Sequence, residues 1–211
     1  MKKLFSAGLF SLIAWGAAQA QQLEVSVLGG YPLISRAPLG SLSTDSPKDD
    51  DTKLKGSYTY GARLTWNTKG YYGNEVGFTF NRATLRTTLR DADGVETLKQ
   101  DRIVIHHAFY NFLIYFMPAG ERWRPFVTGG AQIQQYGAPH IPEWTVGHSR
   151  NYGANYGGGI KLKLFKHALM RFDFRDYIGG KPYDLTFKDE TKSGGIFRQW
   201  EGSIGLAITF W

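Results

Sequence analysis

Apolar and polar side chains alternate with a period of two in eight separate segments of the chain, the spacing expected of half-buried strands. The first covers 22–32, with Leu23, Val25 and Val27 on one face. In the second, 57–67, Tyr58, Tyr60, Ala62, Leu64 and Trp66 oppose Thr59, Gly61, Arg63 and Thr65. In the third, 74–86, Val76, Phe78 and Phe80 oppose Glu75, Gly77, Thr79 and Asn81. The fourth, 101–116, carries Ala108, Tyr110, Phe112, Ile114 and Phe116 on its more apolar face. His107 and Asn111 share its other face with Phe109 and Leu113, so alternation alone leaves that register open. The remaining segments are 124–136, 153–165, 168–178 and 196–211.

The connections alternate in length. Residues 33–56, 87–100, 137–152 and 179–195 are long, whereas 67–73, 117–123 and 165–167 are short. Eight strands with both ends on one side give four long loops and three short turns, the arrangement of an outer-membrane barrel. The expected fold is therefore all-β, an eight-stranded antiparallel up-and-down transmembrane β-barrel. A soluble sandwich has no reason to sort its connections this way. Trp66, Tyr71, Tyr72, Phe116, Trp123 and Phe126 gather at the short turns, and Tyr31, Tyr136, Tyr152, Tyr177 and Trp200 near the loop ends. Two such groups match the interfacial aromatic girdles of a membrane barrel.

Both ends of the chain bear on where it resides. Lys2 and Lys3, an apolar stretch over 4–16 and Ala18-Gln19-Ala20 form a secretory signal pattern, with cleavage expected between Ala20 and Gln21. The division expected is a signal peptide over 1–20 and a barrel domain over 21–211. At the other end, Ile204, Leu206, Ile208 and Phe210 alternate with small or polar residues before Trp211. Leu206, Ile208, Phe210 and Trp211 resemble a C-terminal barrel-assembly signal, displaced by one residue because that signal usually ends on the Phe. No Cys is present, which excludes disulfides and thiolate metal sites.

The chain resembles the small outer-membrane β-barrel proteins of the OmpA, OmpX and OmpW type. The resemblance rests on the signal peptide, Arg124-Pro-Phe-Val-Thr-Gly-Gly130, Tyr156-Gly-Gly-Gly-Ile160, Arg171-Phe-Asp-Phe-Arg-Asp-Tyr177 and the aromatic C-terminus. It spans 22–211, and the peptidoglycan-binding domain that follows some such barrels has no counterpart. It implies the cell outer membrane, and as partners its lipids, lipopolysaccharide and the barrel-assembly machinery. It assigns no chemistry.

Charge adds a candidate site. An eight-stranded barrel is filled by its own side chains. Glu24, Arg63, Glu75, Lys161, Lys163, Arg171, Asp173, Arg175 and Glu201 fall on the faces read as inward. An Arg or Lys facing lipid at mid-depth costs about 2–4 kcal/mol. Arg63, Glu75, Arg171, Asp173, Arg175 and Glu201 are accordingly expected to form a lumen charge network, which blocks the barrel. Without the first 20 residues the chain carries 23 Lys+Arg against 18 Asp+Glu, a net charge of +5. Counted over 33–56, 85–102, 137–152 and 178–196, each connection with its flanks is neutral, so a basic nucleic-acid funnel is not expected.

Catalytic and metal patterns are weak. The lipid A deacylase is an eight-stranded barrel whose Ser hydrolase site spaces its His and Ser by two. Here His148 and Ser149 are adjacent, with Glu143 nearby, and neighbours on a strand point apart. His106 and His107 are split in the same way. Asp49, Asp50 and Asp51 lack the Gly and distant Glu of a formed Ca²⁺ loop, and are read as a mobile solvated segment. The expectation is a non-enzymatic barrel without cofactor or metal. Its role would be structural, or contact with an unidentified extracellular ligand through the loops. A deacylase-like enzyme and a narrow pore are the alternatives.

Overall fold

Each strand hydrogen-bonds to the next in sequence, and the last returns to the first. The computed structural model describes residues 22–35, 39–43, 51–68, 70–91, 93–144, 147–183, 185 and 195–210. The strands are β1 (Gln22–Ile34), β2 (Thr52–Thr68), β3 (Tyr72–Arg90), β4 (Glu96–Tyr115), β5 (Trp123–Tyr136), β6 (Ser149–Phe165), β7 (Ala168–Gly180) and β8 (Ile196–Phe210). All pairings are antiparallel. Closure runs through β1 and β8, where Leu23, Val25 and Val27 face Phe210, Ile208 and Leu206. The proposed leader over 1–20 and Trp211 lie outside the described residues.

The lower part of the wall follows the expected alternation. Val27, Phe174, Leu206 and Ile208 turn outward and are 62%, 57%, 59% and 57% exposed. Their strand neighbours Ser26, Arg175, Ala207 and Thr209 turn inward and are buried. The open register of β4 resolves with Ala108, Tyr110, Phe112 and Ile114 outward and His107, Phe109, Asn111, Leu113 and Tyr115 inward. Phe109 fits because Gly77 stands opposite: a Cβ there would lie 2.2 Å from the Phe109 Cζ.

Two expectations need correction. Phe126, Tyr136 and Tyr177, read as girdle aromatics, are buried inside the barrel. The residues read as the second long loop, 87–100, belong mostly to strands, leaving a connection of five residues, 91–95. β2, β3 and β4 therefore rise well beyond their apolar stretches. The signal was hidden because the faces exchange character at that height. In β3 the outward face passes from Val76, Phe78 and Phe80 to Arg82, Thr84 and Arg86. Its inward face passes from Glu75, Thr79 and Asn81 to Ala83 and Leu85. In β2 a bulge between Gly56 and Thr59 also shifts the parity, so Leu54 points inward while Tyr58 and Tyr60 point outward.

The upper interior is consequently an apolar core. Leu54, Ala83, Leu85, Ile103, Ile105, Tyr136 and Phe197 come from the strands. Leu39, Ile141, Tyr183 and Leu185 come from the connections and close over them. Gly40 (φ 99°) pairs with Leu185 in a parallel bridge, and the Leu39 amide donates to the Thr52 carbonyl at 3.2 Å. Trp144 meets Tyr183 edge to face at 4.9 Å.

Candidate functional site

Below this cap, the inward residues of β2, β3, β7 and β8 converge on the axis. Arg171 and Arg175 each lie two residues from Asp173 on β7, so all three share a face. Arg171 Nε donates to Asp173 Oδ2 at 2.6 Å, and Arg171 also donates to Glu75 across the barrel. Arg175 Nη2 donates to Glu75 Oε1 at 2.6 Å. Arg63 Nη1 stands 2.9 Å from Asp173 Oδ1, and its Nη2 3.9 Å from Glu201 Oε1. Thr65 Oγ1 donates to Glu75 Oε2 at 3.0 Å. The six residues read as inward charges thus meet in one place, all of them buried. They comprise three guanidiniums and three carboxylates, a balance that buried charge requires.

A second pair lies nearer the short-turn end. Lys161 pairs with Glu24, which also accepts from Asn67 Nδ2 at 2.7 Å. Lys161 Nζ donates to the Tyr115 hydroxyl at 2.9 Å. Arg124 stacks on Tyr115 with its Cζ 3.5 Å from the ring centroid, and Leu113, Tyr115 and Phe126 form a small apolar floor. Their strand parity was readable, but nothing in the sequence marked Lys161 and Glu24 as partners. Above the network, His107 Nε2 lies 2.9 Å from Gln132 Oε1 and its ring meets Tyr177 at 4.3 Å. The space near the floor between Glu24, Arg124, Lys161 and Lys163 measures only about 20 Å³.

The remaining candidate chemistry is dispersed. His148 Nδ1 accepts from the Ala138 amide at 3.3 Å. Ser149 opens β6 opposite Tyr136, and Glu143 pairs with Lys99. That hydrogen bond holds the Glu143 carboxyl below its usual value. His106 turns outward against Phe80 at 5.2 Å while His107 turns inward. Asp51 departs from the mobile acidic segment expected: it is buried, accepts from Ser41 Oγ at 2.6 Å and pairs with Arg90 at 2.7 Å. Asp49 and Asp50 lie outside the described residues. Among the described residues no cluster of three His, Asp or Glu side chains could hold a metal ion.

Leu206, Ile208 and Phe210 all face outward on β8. The sequence reading missed the cap residues Leu39, Ile141, Tyr183 and Leu185. Their only signal was an apolar side chain recurring inside otherwise polar connections.

No protein-family model matches the chain, and no curated protein matches it. Solved structures do. The N-terminal β-barrel domain of Pseudomonas aeruginosa OprF superposes with a TM-score of 0.54 at 13% identity, covering 90% of this chain and 98% of that one. The outer-membrane protein OprG of Pseudomonas aeruginosa gives 0.54 at 14%, covering 89% and 95%. The outer-membrane protein AlkL, solved in DMPC bilayers, gives 0.55 at 11%, covering 90% and 91%. The fold is that of the small eight-stranded outer-membrane barrels.

Proposed function

We propose that this chain is an integral outer-membrane protein with a closed lumen, acting through its capped extracellular end and not as an open pore or a hydrolase. The observation that carries this reading is the exchange of faces along the strands. A wall that is apolar outside and charged inside suits hydrocarbon. A wall that is polar outside and apolar inside suits water. One strand holding both in sequence fits a barrel that leaves the membrane and continues above it. The likeness in fold to outer-membrane barrels supports the same placement. Three features support the closed lumen: the charge network, the apolar cap above it and the aromatic floor below. Against a deacylase-like site stands the separate engagement of His148 and Glu143 with Ala138 and Lys99.

Two experiments test the reading. The folded chain in planar bilayers is expected to show no steady conductance, and a stable porin-sized current would overturn the closed lumen. In cells, His148→Ala is expected to leave lipid A unchanged by mass spectrometry. A lipid A modification lost in that variant would install the enzyme instead. Any extracellular contact then belongs to the connections and the raised walls, since binding groups concentrate on exposed segments held by a rigid scaffold.

A further inference from the structure

The long connections, counted with their flanks, are neutral, yet the raised wall sorts their charges by face. On β2 the outward side chains above the aromatic rows include Lys53 and Lys55, and on β3 they include Arg82 and Arg86. On β4 Arg102 joins them. All five are exposed. Register brings them together. Lys55 stands beside Thr84 and Thr84 beside Arg102, while Lys53 stands beside Arg86 in the next row. Rows of one face repeat about every 7 Å along a strand, so the bases share one surface. Three acids among the described residues of this wall are engaged away from Arg82, Arg86 and Arg102. Asp51 and Glu96 engage Arg90 at the tip, and Asp101 lies on the opposite face of β4, accepting from the His140 amide at 2.6 Å. No outward residue of β2, β3 or β4 between Lys53 and the short turns is acidic. At comparable height the β7–β8 wall differs, because its outward Asp176 is paired with Arg198 and accepts from the Tyr156 hydroxyl at 2.9 Å.

We infer that this basic face of β2–β4 is a binding site for the phosphorylated headgroup of an outer-leaflet glycolipid. The inference rests on the membrane placement proposed above. Position favours a lipid over a soluble polyanion. The bases point sideways from the wall, and they stand directly above the aromatic rows of Tyr58, Tyr60 and Phe80, stacked at 6.2 and 5.4 Å. Arg82 lies over the Tyr58 ring with its Cζ 5.7 Å from the centroid. Its guanidinium thus sits at the junction of apolar and polar wall, where a headgroup joins its acyl chains. A shallow cleft of about 220 Å³ opens there between Ser57, Tyr58, Arg82, Ala83, Thr84 and Arg102. Two guanidiniums and the hydroxyls of Ser57, Tyr58 and Thr84 around one cleft match phosphate, whose oxygens take paired N–H donors.

The test uses the full chain folded in detergent micelles, titrated with bisphosphorylated lipid A and read by native mass spectrometry. Arg82→Gln, Arg86→Gln and Arg102→Gln combined are expected to weaken binding about 10- to 100-fold, the loss expected for three surface cations near an anionic lipid layer. Dephosphorylated lipid A should bind the unmodified chain as weakly as the bisphosphorylated lipid binds the variant. Arg122→Gln with Lys166→Gln, both exposed at the short-turn end, should leave binding unchanged. Equal affinity of the triple variant, or of the dephosphorylated lipid, overturns the site. A soluble sulfated glycan that binds this face as tightly as the lipid also overturns it, in favour of a soluble polyanion. Heat-modifiable migration on gels reports the barrel separately: its absence from the unmodified chain refutes the membrane reading, while its presence in every variant confines a lost affinity to the patch.

Discussion

The barrel has two storeys built from the same strands with opposite polarity. In the lower storey Val76, Phe78 and Phe80 of β3 face out, while Glu75, Thr79 and Asn81 face in. Further along the same strand, Arg82, Thr84 and Arg86 face out, while Ala83 and Leu85 face in. Backbone pairing continues unbroken from one to the other, with Tyr72 to Arg90 matched residue by residue to Ile114 to Glu96. On the membrane placement proposed above, what changes is the surroundings the wall is built for. The hydrophobic effect drives apolar side chains away from water, not toward a protein centre. Where hydrocarbon lies outside, the centre is free to hold charge, provided the charges balance. Where water lies outside, the centre becomes an ordinary core.

The sharpest way to break this comparison is to unbalance the lower centre. Glu75→Ala leaves Arg63, Arg171 and Arg175 facing only Asp173 and Glu201, and is expected to cost about 3–5 kcal/mol in urea unfolding in micelles. A loss below 1 kcal/mol would mean that water, not Glu75, compensates these guanidiniums. The upper centre should respond as a packed core does. Leu85 is fully buried in the cap cluster, so Leu85→Ala is expected to cost about 2–5 kcal/mol. Leu206→Ala, on the outer wall of the lower storey, should cost much less, and equal losses would erase the distinction. The two outer walls are compared by one substitution at two heights. Val27→Lys is expected to destabilise by about 2–4 kcal/mol in bilayers. Leu98→Lys, at an outward position of the upper wall that is 61% exposed, should change stability by about 0.5 kcal/mol or less. Similar costs would show that no hydrocarbon boundary separates the storeys.

The smallest effect is expected with pH, and only above that boundary. The His140 amide, donating to Asp101, lowers the Asp101 carboxyl below its ordinary value of 3.8. A lowered folded value means the contact stabilises fully above 3.8 and is lost as the pH falls through the lower folded value. Amide exchange across 137–144, corrected for intrinsic rate, should therefore quicken under strongly acidic conditions. Asp101→Asn should remove that dependence, and an unchanged profile in that variant would assign it to another group.

Much of the lower storey was legible because alternation is local. Val25, Phe78, Tyr110 and Ile208 each declare a face relative to their neighbours, although the expected long-short order of connections fails at 91–95, which is shorter than the turn over 116–122. The six lumen charges could be placed inward for the same reason, since a charge is costly on the other face. The upper storey resisted. β2 hides a parity shift at Gly56–Thr59, and in β3 and β4 the apolar face changes sides, so a single periodicity cannot span either strand. Leu39, Ile141, Tyr183 and Leu185 looked like stray apolar residues until the fold brought them over Leu85 and Ile105. By itself the sequence determined the number of strands, their order and which side chains share a wall, because these follow from a period of two along one strand. Only the tertiary structure decided that Glu75 meets Arg171, that Lys161 meets Glu24, and that the bases of three strands share one outer face. Those pairings depend on inter-strand stagger around a closed ring, which the spacing of residues along any one strand does not contain.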